Sequence, residues 1–174
     1  MLGGNSEFLA KEEMKRKGYT DILVEQATAH NETDNEQILE ARKTFDELEK
    51  KYTEEIKDVE ELFELNEQMN LNASLTLLAN IGENVAKISE NTKQEYSNIE
   101  WKQIKDFRNR IVHDYVGIDL AIVYEIITKD LLSLKPEIEK IIKEKLSKKI
   151  FDIEELKVCQ ESKYYKFIEF EKIK

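Results

Sequence analysis

Apolar residues recur every seven positions through one stretch of this chain, at Ile38, Phe45, Tyr52 and Val59. Ala41, Leu48 and Leu62 fill a second seam, with Glu55 interrupting it and Ile56 beside the gap. A heptad stripe of this kind specifies an α-helix that lays one face against other helices. Just before it, Asp34-Asn35-Glu36-Gln37 has the form of a capping box, an Asp cap with Gln three residues on. The spacing predicts one long helix over 35–67, with interleaved Glu and Lys on a solvated outer face.

The remaining composition agrees with an all-α fold. The 174 residues include one proline and five glycines, too few turn formers for a β-rich chain of this length. A hydrophobic content of 40% argues against disorder. The single cysteine, Cys159, excludes an internal disulfide and a cysteine-based zinc cluster. No signal peptide opens the sequence, and no apolar run approaches the ~18 residues needed to span a bilayer, so a cytoplasmic protein with no membrane partner is expected. The net charge of -10 arises in residues 1–69, where 9 Lys/Arg face 19 Asp/Glu. That half would repel RNA, and no basic footprint for general nucleic-acid binding is present.

Along the chain, residues 7–30 read as short helices broken near Gly18. A second main helix is expected from Asn70 or Asn72, with Leu71, Leu75, Leu78, Ile81 or Gly82, Val85 and Ile88 inward. Gly82 falls inside it at a cost of about 1 kcal/mol against alanine, which points to close approach of another helix or a ligand. Residues 91–98 read as a loop. Trp101, Ile104, Phe107 or Arg108, and Ile111 mark a third helix ending at Val116-Gly117, with the glycine as a left-handed cap. Asp119 caps a fourth, and Pro136 suits the first turn of a fifth. The organisation expected is an N-terminal extension over 1–33, a bundle of four or five helices over 34–146, and a C-terminal extension over 147–174 whose aromatic cluster docks on something.

Two histidines and four arginines occur in the whole chain, and one histidine and two of the arginines lie in Arg108-Asn109-Arg110-Ile111-Val112-His113-Asp114-Tyr115. Asn109 and His113, four apart, share a helix face; Arg108 and His113, five apart, lie some ~140° apart around the axis and converge only if the Arg side chain wraps round or the helix tightens. Cleavage of RNA through its 2′-OH needs a base and an acid, and an imidazole near neutrality serves as either. A guanidinium matches the charge gathering on the phosphate oxygens. One histidine per chain is sparse for two proton transfers, whereas a dimer with facing sites would supply two. The same residues also fit a hydrogen-bonded structural histidine with Arg108 paired to Asp106 or Glu100, and spacing alone leaves both readings open.

A wider series of motifs surrounds this segment: Asn80-Ile81-Gly82-Glu83, then Ile99-Glu100-Trp101-Lys102-Gln103-Ile104, then Phe107 to Tyr115, then Gly117-Ile118-Asp119, Val123-Tyr124-Glu125-Ile126-Ile127 and Asp130-Leu131-Leu132-Ser133-Leu134. In order and spacing the stretch 71–142 resembles the HepT-like toxin family of the HEPN superfamily. The resemblance implies an all-α HEPN-type bundle that forms a homodimer with its motifs lining a shared cleft. It implies a metal-independent endoribonuclease toxin, without a cofactor, that acts on RNA and is paired with a minimal nucleotidyltransferase antitoxin. Carried over by position, Arg108 and His113 would be catalytic, Asn109 would support the site, and Tyr115 would contact RNA or accept AMP. A catalytically idle HEPN module that binds a nucleotide or partners the transferase is the alternative, and a plain helical scaffold a weaker one. Tyr124 stands where the family commonly has Trp, and the extensions are departures from a compact member.

Overall fold

The computed structural model describes residues 21–53, 56–114 and 117–173, with side chains from Asp34 onward except those of Tyr52 and Thr53. The order is α1 (Asp21–Leu48) with a π-helical turn (Glu49–Thr53), α2 (Val59–Glu64), α3 (Met69–Lys87), α4 (Glu90–Glu95) and α5 (Trp101–His113). There follow α6 (Leu120–Glu125), a second π-helical turn (Ile126–Asp130), α7 (Leu131–Ser147), α8 (Ile153–Glu161) and two short 3-10 turns (Lys163–Tyr165 and Phe170–Lys172). Among the described residues there is no strand, so the all-α expectation holds.

The heptad stripe is the core of α1. Ile38, Ala41, Phe45 and Leu48 are buried, and Leu62 joins the same core from α2. The single helix over 35–67 is corrected in three places. Asp34 caps nothing, because α1 already runs through it from Asp21. Its buried carboxylate instead accepts hydrogen bonds from Ser89 N (2.7 Å), Ser89 Oγ (2.6 Å) and Thr92 Oγ1 (2.6 Å), fastening α1 to the α3–α4 junction. The helix also stops early. Asp58 takes the cap position of a new helix, accepting from Glu61 N at 2.8 Å, while Glu61 accepts from Lys57 N at 2.8 Å. Tyr124 pins the break by donating to the Lys57 carbonyl at 2.6 Å. Finally, Asn66, Glu67 and Gln68 all take left-handed φ angles of 55°, 54° and 68°, which turn the chain into α3.

α3 has the expected inward set, with Leu71, Leu75, Leu78, Ile81, Val85 and Ile88 buried. It packs against α1 on one side and α5 on the other. The expected loop over 91–98 contains α4, capped by Ser89, whose side chain accepts from Thr92 N. Pro136 does not begin a helix; it lies inside α7. Burial of Ile127, Ile138, Ile141 and Ile142 along one continuous face outweighs the ~3 kcal/mol that an interior proline costs. At about 1.5–3 kcal/mol per fully buried aliphatic side chain, four such residues are enough.

Residues 150–173 dock on α1. Asn35 Nδ2 donates to the Ile150 carbonyl at 3.0 Å, Lys50 Nζ to the Phe167 carbonyl at 3.0 Å, and Tyr165 OH to Glu40 Oε1 at 2.7 Å. Phe151, Leu156, Ile168, Phe170 and Ile173 are buried in the common core. Of the N-terminal reading, residues 1–20 with Gly18 lie outside the described residues, and 21–30 form part of α1.

Candidate functional site

α5 carries Arg108, Asn109 and His113. Its start is anchored by Trp101, which is buried and donates from Nε1 to the Tyr96 carbonyl at 2.9 Å and the Lys93 carbonyl at 3.2 Å. Buried Ile111 anchors the other end. Between them, α5 lies hard against α3 at Gly82. A Cβ built on Gly82 would collide with Cβ of Arg108, stand 2.9 Å from its Cγ and 3.2 Å from the Ile104 carbonyl. The glycine inside α3 is therefore there for another helix, one of the two readings its position offered.

This closeness puts Glu83 beside Arg108. Arg108 donates from Nη2 to Glu83 Oε2 at 2.5 Å and from Nη1 to Asn109 Oδ1 at 2.9 Å. The other Glu83 oxygen is 4.0 Å from Lys87 Nζ. The Arg108 side chain is 30% exposed, so it is held but still reachable from solvent. Neither Asp106 nor Glu100 is its partner; Asp106 is engaged by Lys102 and Glu100 by Gln103.

His113 is the last residue of α5 and is exposed. It has no hydrogen-bond partner among the described residues. The structure thus joins Arg108 to Asn109 and places His113 at the exposed helix end, with no direct bond between Arg108 and His113. The helix ends three residues before the expected Val116, with Asp114 N donating to the Arg110 carbonyl at 2.9 Å. Gly117 is not a left-handed cap. A Cβ there would stand 2.7 Å from both Asp114 carboxylate oxygens, a contact that the exposed Asp114 side chain can relieve by turning away. Tyr115, the expected modification target, lies outside the described residues.

The opposite face of α5 borders a groove of about 580 Å³ between α3, α5 and α7. Its floor is apolar, with Ile104, Phe107, Ile126 and Leu134, and its rim carries Glu100, Asp106, Asp130 and Glu137 against Arg110. Neither Arg108 nor His113 lines it. Among the described residues, no group of three or more His, Cys, Asp or Glu is gathered as a metal site. No helix among them is long and apolar enough to cross a membrane.

A family model described as Ribonuclease HepT-like matches residues 38–141. The chain belongs to the HepT-like ribonuclease family. That match begins in the α1 stripe and ends in α7, so the HepT-like region includes Gly82, Glu83 and all of α5. The chain is 32% identical over 88 residues, 51% of its length and 76% of the relative, to a protein of Methanocaldococcus jannaschii named as a candidate RNase. A Caldanaerobacter subterraneus protein, also named as a candidate RNase, is 35% identical over 68 residues, 39% of this chain and 57% of the relative. A third similarity, 53% identical over 55 residues, is to the protein translocase subunit SecA 1 of Alkaliphilus metalliredigens, of which the chain spans 6%. The HepT-like chain therefore covers well under two thirds of some of its relatives. No solved structure matches it.

Glu83 closes the Asn80-Ile81-Gly82-Glu83 motif, and the sequence alone assigns it no role. The signal that would have found it is its neighbour, a glycine facing another helix.

Proposed function

We propose that this chain is a metal-independent endoribonuclease, the toxin of a pair whose antitoxin is a minimal nucleotidyltransferase, acting in the cytoplasm as a homodimer. The observation that carries this reading is a doubly held, solvent-reachable guanidinium on the same short helix as an exposed imidazole. In the reaction a base takes the proton of a ribose 2′-OH and O2′ attacks the adjacent phosphorus. The P–O5′ bond breaks and O5′ collects a proton, leaving a 2′,3′-cyclic phosphate and a 5′-hydroxyl. Arg108 meets the phosphate oxygens, where charge gathers in the transition state. His113 moves a proton, and the His113 of a second copy supplies the other transfer. Asn109 supports Arg108. Tyr115 accepts AMP when its phenolic oxygen attacks the α-phosphorus of ATP and pyrophosphate leaves, which silences the site.

The test is incubation of wild-type, His113→Ala and Arg108→Ala proteins with total tRNA and mRNA in the presence of a metal chelator. Cleavage by the wild type that falls by about 10²-fold or more in each variant is expected. An uncut RNA pool, or cutting that survives both substitutions, overturns the reading.

A further inference from the structure

Arg108 is held from two directions. Asn109 holds Nη1 from the same helix, and Glu83 holds Nη2 from α3. A guanidinium has five N–H donors in a rigid plane. Two are used here, which leaves Nε–H and one hydrogen on each Nη for an oxyanion. A long side chain on a free helix surface would carry ~2 kcal/mol of rotamer entropy; here the fold has already fixed the direction of the plane. The fixing depends on Gly82, because only a missing Cβ lets α3 bring Glu83 this close to α5. Glu83 itself stands between two cations, Arg108 at 2.5 Å and Lys87 at 4.0 Å. These are the charged groups that face it among the described residues.

We propose that Glu83 is a positioning residue of the cleavage site: its carboxylate aims the Arg108 guanidinium at the scissile phosphate and acts only through that arginine. This rests on the ribonuclease reading above. A partly exposed ion pair contributes only about 0–1 kcal/mol to folding, so a purely structural pair would leave cleavage almost unchanged. A misaimed catalytic group, by contrast, costs up to about 10²-fold in rate.

The decisive experiment is a double-mutant cycle on RNA cleavage with Glu83→Ala, Arg108→Ala and the double variant, together with Glu83→Gln and Glu83→Asp. Glu83→Ala is expected to lower kcat/KM by about 10- to 100-fold, and adding it to Arg108→Ala is expected to cause no further loss. Glu83→Asp and Glu83→Gln should recover part of the activity, with the shape of the pH profile unchanged. Full activity in Glu83→Ala overturns the proposal, as does a loss that adds to that of Arg108→Ala. Disappearance of one limb of the pH profile in Glu83→Gln also overturns it, because Glu83 would then move a proton itself. If the wild type cuts no RNA, the ribonuclease reading fails on its own. Glu83 is then judged by nitrogen-15 NMR of the Arg108 side chain. Slow exchange of its N–H signals in the wild type and fast exchange in Glu83→Ala supports the positioning; equal exchange overturns it.

Discussion

Arg42 and Arg108 are each bonded to carboxylates reaching across a helix packing, but the two stand in opposite surroundings. Arg42 is fully buried in α1, with Asp46, also fully buried, one turn along and Glu139 of α7 accepting at 2.7 Å. Lys135 adds to that cluster, 2.9 Å from Asp46 and bonded to Glu49. Arg108 is 30% exposed and Glu83 43% exposed. In the first case nothing from outside can reach the guanidinium, and desolvation makes every partner necessary. In the second, solvent screens the pair and leaves donors open to an incoming anion. Burial, more than the identity of the pair, separates an arginine sealed inside the bundle from one that an incoming anion can reach.

The contrast is broken most severely at Arg42. Arg42→Ala leaves Asp46 as a buried charge without its guanidinium partner, and should destabilise the fold by about 3–5 kcal/mol. Arg108→Ala should change stability by less than ~1 kcal/mol. Chemical denaturation of the two variants side by side measures the difference; equal losses would erase the distinction. Next comes Gly82→Ala. Its Cβ strikes the base of the Arg108 side chain, which has no flexible way out, so overpacking of about 1–3 kcal/mol is expected. That exceeds the gain of roughly 1 kcal/mol in helix propensity. RNA cleavage should fall with it, because α3 and α5 are pushed apart; a variant that keeps both stability and activity would show that the close approach is dispensable.

The smallest effect is alkaline. Burial lowers the Lys135 pKa, but the hydrogen bonds to Glu49 and Asp46 outweigh it and hold the amine above its ordinary 10.5. The folded value exceeds the unfolded one, so this stabilisation is complete below pH 10.5 and is lost as pH rises through the folded value. Tyr96 and Tyr165 act in the same sense. Burial first, then hydrogen bonds to Glu144 and Glu40, hold the two phenols well above the usual 10.0. The urea midpoint should fall above pH 10 in the wild type, and fall less steeply in a Lys135→Met, Tyr165→Phe variant. Parallel curves would mean that these groups do not sense folding.

The buried stripe of α1 was legible because burial acts through periodicity: Ile38, Ala41, Phe45 and Leu48 all lie where the seven-residue repeat puts them. The break before Val59 is hidden because Ile56 and Leu62 continue the pattern into the same core. What ends the helix is an Asp58–Glu61 cap and a bond from Tyr124, distant in sequence. Asp34 was misread for a related reason. Acid followed by Gln three residues on is a local cap signature, whereas its real partners, Ser89 and Thr92, lie more than fifty residues away. The site divides in the same way. The Arg108–Asn109 contact lies between adjacent residues and the exposed His113 ends a helix that the pattern showed. The tie from Glu83 needs two helices at a fixed distance, which a single sequence expresses only through Gly82.

The burial of Phe170 and Ile173 also orders events in time. When α5 has been synthesised, the side chains that close the core around α1 have yet to be joined to the chain. The bundle gains its last layer only after residues 150–173 have been made and have docked through Asn35, Glu40 and Lys50.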